Sequence, residues 1–282
     1  MAETGSKANE GINGNGRVSE ATRRTILGGL ALGVLLSALD QTIVGTSLGK
    51  ITVDIGGFEH FAWVFSAYML TSTIMIPVAG KFSDIYGRKP IFLLGMVIFL
   101  AGSFLCGTAA GMTQLIFYRA FQGVGGGMIF PVALATVADL YAPSERGKVQ
   151  GVMGAVWGFA SVIGPFLGGW IVDNMHVYGI SSWRWVFYVN LPVGIVAIAV
   201  VLHRFPKTLK RETSVDYAGC AALGLGLTTL LFVTILGGDT YDWVSMQILA
   251  LAALSAFSFV AFIIIETRAK DPIIPPFLFR EP

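Results

Sequence analysis

Apolar runs of about twenty residues recur along this chain, and only a lipid bilayer readily solvates so many of them. Eight are read, at roughly 25–48, 60–80, 90–108, 113–140, 148–173, 184–203, 217–236 and 246–266. At about 1.5 Å per residue, helices of this length cross about 30 Å of hydrocarbon. The composition agrees. Of the 282 residues 54% are hydrophobic and 13% charged, against about 25% charged in a soluble domain, and the mean hydropathy is +0.71. The chain is read as an all-α membrane protein that crosses the bilayer many times.

The few charges then fix the orientation, because Lys and Arg collect in cytoplasmic loops. With the N-terminus inside, 16 of the 19 Lys and Arg fall on the cytoplasmic side: the N-terminal tail, 81–89, 146–148, 204–211 and the segment after Thr267. Lys50 and Arg184 fall outside, and Arg119 stays within a span. Both termini of the chain are expected in the cytoplasm and the protein in the plasma (inner) membrane. Residues 1–24, rich in Gly, Asn and Ser, read as a disordered tail. The run from Thr25 to Leu48 is too long for the core of a signal peptide and carries no clear cleavage site.

Enzyme chemistry finds no footing. Cys106 and Cys220 both lie inside apolar runs, without metal-ligand spacing or a disulfide framework. No nucleophile–base pair or phosphate loop appears, and Gly125-Gly126-Gly127 lies inside a membrane helix rather than after a strand. No enzyme activity, metal, cofactor or nucleic-acid partner is expected.

Two echoes suggest an internal repeat. The second span ends in GKFSD (80–84), followed by basic residues and an apolar helix. The fifth ends in GWIVD (169–173), followed by Trp183-Arg184-Trp185 and another apolar helix. By the helix count they lie on opposite faces, as an inverted duplication of three helices places them.

Charges inside spans carry the most information, because each costs a few kcal/mol unless paired or hydrated. Arg119 lies in the fourth span and Asp40 in the first, both in the outer half of their helices. Asp40 belongs to a stripe of Gly33, Ser37, Asp40, Val44 and Ser47, spaced for one helical face that should look into a cavity. Gln122, one turn from Arg119, is placed to hold a water there. The pair is either a structural ion pair fixing helix register or a proton site. Burial disfavours a carboxylate's charged form and a nearby arginine favours it, so making and breaking such a pair can load and unload a proton.

Two further stretches stand out. GKFSDIYGRKP (80–90) puts Lys81, Asp84, Arg88 and Lys89 between apolar spans, with Gly80 and Gly87 permitting a tight turn. The orientation rule explains its basic residues but not Asp84 or the glycines. In the fifth span Gly147, Gly151, Gly154, Gly158, Ser161, Pro165 and Gly168 alternate spacings of four and three. That is a small-residue seam of the kind that lets two helices approach closely. Trp183 and Trp185 read as interface anchors, and Glu266 as a side chain reaching out of its helix end.

Gly80-Lys81-Phe82-Ser83-Asp84-Ile85-Tyr86-Gly87-Arg88-Lys89 resembles the loop 2–3 signature of the major facilitator superfamily. Arg119-x-x-Gln122-Gly123 resembles that family's helix-four motif, and Leu39-Asp40-x-Thr42-Ile43-Val44 its multidrug-exporter helix-one motif. The Gly164-Pro165-x-x-Gly168-Gly169 ending resembles the antiporter motif of its drug:proton exporters. Two extra helices ending in ETRAKDPIIPPFLFR, with Pro272, Pro275 and Phe279, look like the fourteen-helix branch.

The resemblance implies a six-helix N-terminal bundle of 3+3 inverted repeats over 25–205, two linker helices over 216–267 and a cytoplasmic segment over 268–282. A second bundle is expected to be absent from this chain, which would be the N-terminal part of an exporter. The implied function is export of amphipathic, drug-like molecules in exchange for protons by alternating access, with the proton gradient as energy source. Asp40 and Arg119 would couple protons, and Gln41, Thr42, Gln122 and Gly126 would line the substrate cavity. A cytoplasmic gate would comprise Gly80, Lys81, Asp84, Gly87, Arg88, Lys89, Asp139 and Arg146. Gly154, Gly158, Gly164, Pro165, Gly168 and Gly169 would form the antiporter seam, sealing against the other bundle or a second copy. Two alternatives stay open: a facilitator of a siderophore, sugar or amino acid, and a truncated protein that modulates a full-length exporter.

Overall fold

In the computed structural model, residues 19–175, 179, 181–205, 216–238 and 240–269 are described. The expectations for residues 1–18, most of the basic link at 206–211 and the segment 270–282 with Pro272, Pro275 and Phe279 lie outside them. Among the described residues the regular elements are helical: α1 (Glu20–Ile55), α2 (Phe61–Tyr86), α3 (Arg88–Thr108), α4 (Met112–Leu140), α5 (Pro143–Asn174), α6 (Trp185–Tyr188), α7 (Asn190–Arg204), α8 (Tyr217–Leu236) and α9 (Met246–Arg268). A turn of 3-10 helix at Ser182–Arg184, α6 and α7 together make the sixth span, so the described residues hold eight helices able to cross a membrane.

The helix ends follow local chemistry more than hydropathy. Glu20–Arg24, assigned from composition to the tail, is the first turn of α1, because the Ser19 side chain accepts from the Thr22 N–H and Arg24 donates to Glu20 one turn back. At the other end α1 runs past Leu48 to Ile55 and stops at Gly56 and Gly57, both at positive φ. Between α2 and α3 a single residue, Gly87 at φ 98°, reverses the chain, a conformation that only glycine adopts without strain. The sixth span passes from α6 to α7 at Val189, which keeps helical dihedrals and donates to the Trp185 carbonyl at 2.9 Å.

Helix pairing follows the inverted repeat. α4 packs most extensively on α2 and α3, and α1 on α5; exchanging the two three-helix units turns the α2–α4 pairing into the α1–α5 pairing. α4 lies between α2 and α3, where its glycines let the backbones meet. A side chain at Gly125 would strike the Phe99 N and lie 2.6 Å from the Gly95 O of α3. One at Gly127 would strike the Ser72 backbone of α2. From the other side, a Cβ at Gly102 would lie 2.6 Å from the Gln122 Cα. Small residues do this in membranes because hydrocarbon outside the bundle gives no hydrophobic drive, leaving contact distance to set the energy.

α8 and α9 form a hairpin beside the bundle. Ser255 Oγ donates to the Gly226 O at 3.0 Å, and Phe232 of α8 stacks obliquely on Trp63 of α2 at 6.0 Å. Glu266 does not reach outward: it is 5% exposed. Its carboxylate lies with that of Asp216 against Gly219, and Lys81 of α2 shares the neighbourhood around Cys220. The hairpin's own packing holds it inside.

Gly125→Ala is expected to destabilise the bundle by about 1–3 kcal/mol, the usual cost of overpacking. That lowers the melting temperature in detergent by about 2–4 °C per kcal/mol for a chain of this size. Gly49→Ala, at a position with open space around it, should leave melting unchanged or raise it, and equal melting of the two variants would refute the close-approach account.

Candidate functional site

Asp40 and Arg119 meet in the middle of the bundle, both fully buried. Arg119 Nη1 donates to Asp40 Oδ2 at 2.6 Å and to Gln122 Oε1 at 2.7 Å, while Nε donates to the Val64 carbonyl at 3.4 Å. The guanidinium carbon sits 4.3 Å from the centre of the Tyr68 ring, a cation–π contact that strengthens when water is excluded. Asp40 Oδ1 accepts from Gln122 Nε2 at 2.9 Å and from Asn190 Nδ2 at 2.8 Å. Arg119, Gln122 and Asn190 thus converge as donors on one carboxylate.

α1 places the acid and α4 the base, with α2, α3 and α7 closing the shell. The stripe Gly33, Ser37, Asp40, Val44 and Ser47 is buried throughout, so it faces neither lipid nor open water. Side chains fill the expected cavity: a Cβ at Gly33 would lie 2.7 Å from the Phe92 ring, and Ser37 hydrogen-bonds the Tyr68 hydroxyl at 3.3 Å. Gln122 holds the ion pair directly where a water was the expectation.

Three members of the network escape sequence reasoning. Asn190, 2% exposed, donates to both Asp40 and Ser103 Oγ (2.8 Å each), and Ser103 donates on to the Phe187 carbonyl at 2.9 Å. Asn190 opens α7 deep in the fold. Tyr68 is one aromatic in an apolar run. A cross-membrane constraint could have found them: polar groups at the depth of Asp40 need partners. Trp183, read as an interface anchor, is 1% exposed and donates to Asp54 Oδ2 at 2.6 Å, because α1 extends far enough to meet it.

The other expected cavity residues divide. Thr42 points at α5, donating to the Ala160 O at 3.1 Å, and Gly126 is covered by the Tyr68 hydroxyl. Both are packing positions. Gln41 is half-buried beside Tyr68.

The seam also divides. Gly154, Gly158 and Pro165 are exposed, and a side chain at either glycine would meet nothing. Gly164 and Gly168 are buried against Thr42, Ile43 and Thr46 of α1. Gly169 is half-buried with open space beside it. The motif therefore spans two faces: Gly164 and Gly168, about 40° apart on the helix, serve the α1 contact, and Gly147, Gly151, Gly154 and Gly158 are left uncovered.

At the basic end of the bundle, Arg88 gathers the charge. Its Nη2 lies 2.5 Å from Asp84 Oδ1, Nε 2.8 Å from Asp139 Oδ2 and Nη1 2.5 Å from Ser83 Oγ. Gly87 makes the turn that aims it. Lys89 donates to the Leu202 and Phe205 carbonyls, and Arg146 to those of Ala138 and Tyr141, so these two cap helix C-termini, where cations are favoured. Gly80 is half-buried with no atom where a side chain would start. Lys81 lies near Cys220 of the α8–α9 hairpin.

Paired three-helix units around a buried acid–base couple make this an integral, multi-pass membrane protein. The chain belongs to the major facilitator superfamily, whose family model matches residues 30–267. It is 44% identical over 262 residues to Multidrug resistance protein 3 of Bacillus subtilis (strain 168), covering 93% of this chain and 50% of that protein. It is equally, 44%, identical over 262 residues to Multidrug transporter protein MdtP of the same organism, covering 93% and 47%. The chain thus spans about half the length of the curated relatives it matches. Among solved structures it resembles a bacterial homolog of the human lysosomal transporter Spinster, inward-facing and occupied. The TM-score is 0.58 at 17% identity, covering 91% of this chain and 64% of that one. The human organic anion transporter MFSD10 gives a TM-score of 0.55 at 20% identity, covering 81% and 59%. These two likenesses bear on the fold.

Arg119→Gln strands a buried carboxylate and should cost about 3–5 kcal/mol, read as a large drop in melting temperature. Adding Asp40→Asn removes the second charge and should recover most of it; a double variant as unstable as Arg119→Gln would mean that the two charges do not act as a pair. Arg88→Lys keeps the charge but cannot reach three acceptors at once. Amide exchange over 83–89 should rise severalfold, and unchanged exchange would show that the fork geometry is dispensable.

Proposed function

We propose that this chain supplies the proton-coupling half of a secondary transporter that exports amphipathic, drug-like molecules in exchange for protons. The observation that carries the reading is the isolated acid–base couple, Asp40 and Arg119, buried together at 2.6 Å. A membrane protein retains so costly a pair inside the hydrocarbon for a function.

Asp40 is the proton carrier. As an anion it holds Arg119; when protonated it loses that attraction and α1 is free to move relative to α4. Arg119 tunes the exchange, because its approach favours the charged form and its departure the neutral one. The Arg88 cluster is the cytoplasmic gate: Asp84 and Asp139 sit on different helices and must part when that end opens. The open face of α5 is the surface against which a second bundle rocks in alternating access. The printed names of the relatives, multidrug resistance and multidrug transport proteins, support drug-like cargo. The basic end, by its Lys and Arg content, lies in the cytoplasm.

In proteoliposomes of the transporter that carries this chain, Asp40→Asn should abolish uphill export of a lipophilic cationic dye driven by a proton gradient. Downhill dye movement should persist. Uphill export by the variant at the wild-type rate would end Asp40's candidacy.

A further inference from the structure

The bond directions around Asn190 carry one step more, resting on the reading of Asp40 as a proton carrier. An amide NH2 only donates. Asn190 Nδ2 lies 2.8 Å from Asp40 Oδ1 and 2.8 Å from Ser103 Oγ, so Ser103 must accept from Asn190. Its own proton then goes to the Phe187 carbonyl at 2.9 Å. The chain of donors has one sense, from Asn190 outward to the anion on one side and through Ser103 to α6 on the other.

Protonation of Asp40 reverses the requirement. Where the carboxyl group carries its hydrogen on Oδ1, it must donate there, and an amide N–H facing it is a repulsive, unsatisfied contact. Turning the Asn190 amide over exchanges its oxygen and nitrogen. The oxygen then accepts from Asp40 and, at the same place, from the Ser103 hydroxyl. Ser103 can do this only by withdrawing its proton from the Phe187 carbonyl.

That carbonyl lies in α6, two residues before Val189, where α6 passes into α7. We infer that Asn190 and Ser103 form a hydrogen-bond relay that reports the protonation of Asp40 to the α6–α7 junction, with Asn190 as a positioning residue. The charged and titratable groups that act on Asp40 are Arg119 from α4, Tyr68 from α2 and Cys106 from α3. α5 meets α1 through Thr42, and α7 presents Asn190.

The test holds pH fixed and uses Asp40→Asn, whose amide can donate as the protonated acid does. Hydrogen exchange is followed over the amides from Trp185 to Val193 in the purified chain. Asp40→Asn should raise exchange there severalfold. Ser103→Ala alone should raise it as much, and adding Asp40→Asn to Ser103→Ala should change nothing further. Asn190→Leu, similar in volume and without the amide, should behave like Ser103→Ala. Unchanged exchange in Asp40→Asn, or a further rise on adding it to Ser103→Ala, would overturn the relay. Infrared titration of the wild type separates the two readings. A protonated-carboxyl band that Asp40→Asn abolishes supports Asp40 as carrier whatever the exchange data say. A band absent at every pH ends the carrier reading, and the relay with it.

Discussion

A guanidinium shut away from both water and lipid must draw its partners from protein, and that demand organises this bundle, although Nη2 finds no hydrogen-bond acceptor among the described residues. Arg119 draws on four elements: the Asp40 carboxylate of α1, the Val64 carbonyl and Tyr68 ring of α2, Gln122 on its own helix and, through Asp40, Asn190 of α7. Each contact fixes the height of one helix against α4. The close approach is set by glycine. Gly123 and Gly126 bring α4 so near Tyr68 that a methyl group at either would overlap it, and this nearness lays the ring over the cation. Backbone packing and electrostatics are therefore one constraint: widening the α2–α4 distance by a side chain would strip the arginine of its aromatic cover.

The two ionic clusters differ in how readily they yield. At the basic end, Asp84 and Asp139 keep about a third of their side-chain surface exposed. Ion pairs in contact with water are worth about 0–1 kcal/mol because water and salt replace the partner. Asp40 and Arg119 have no such substitute, and separating them without compensation costs several kcal/mol. Parting the water-exposed carboxylates at the bundle's end, where Arg88 is itself 8% exposed, therefore costs less than parting the wholly buried pair at its centre. A bundle built this way has a softer rim and a hard core.

What the sequence made legible follows from the same energetics. The spans are readable because hydrocarbon admits no other arrangement of long apolar runs. Asp40 and Arg119 are readable because charges at similar depth must pair. Asn190, Ser103 and Tyr68 are not, since neutral polar groups in a membrane helix are tolerated singly and reveal their role only through a partner on another helix. Helix ends were misjudged for a related reason: Ser19 and the Glu20–Arg24 pair extend α1 with polar residues that hydropathy counts as loop. Glu266 was misplaced because burial at a hairpin base depends on what α2 and α8 bring beside it.

α5 shows how far a one-dimensional pattern can go. Spacings of four and three put Gly147 through Gly168 on one stripe, but a stripe says nothing about which neighbour it meets. Gly164, one residue before the stripe's Pro165, turns with Gly168 toward Thr42 and Thr46 and lets α1 press in. Gly147, Gly151, Gly154 and Gly158 touch nothing that a side chain would disturb. Glycine inside a helix costs about 1 kcal/mol relative to alanine, so these four weaken α5 by several kcal/mol with no contact inside the described fold to offset it. Faces of this kind, bare of side chains, are those on which membrane helices pack at glycine distance.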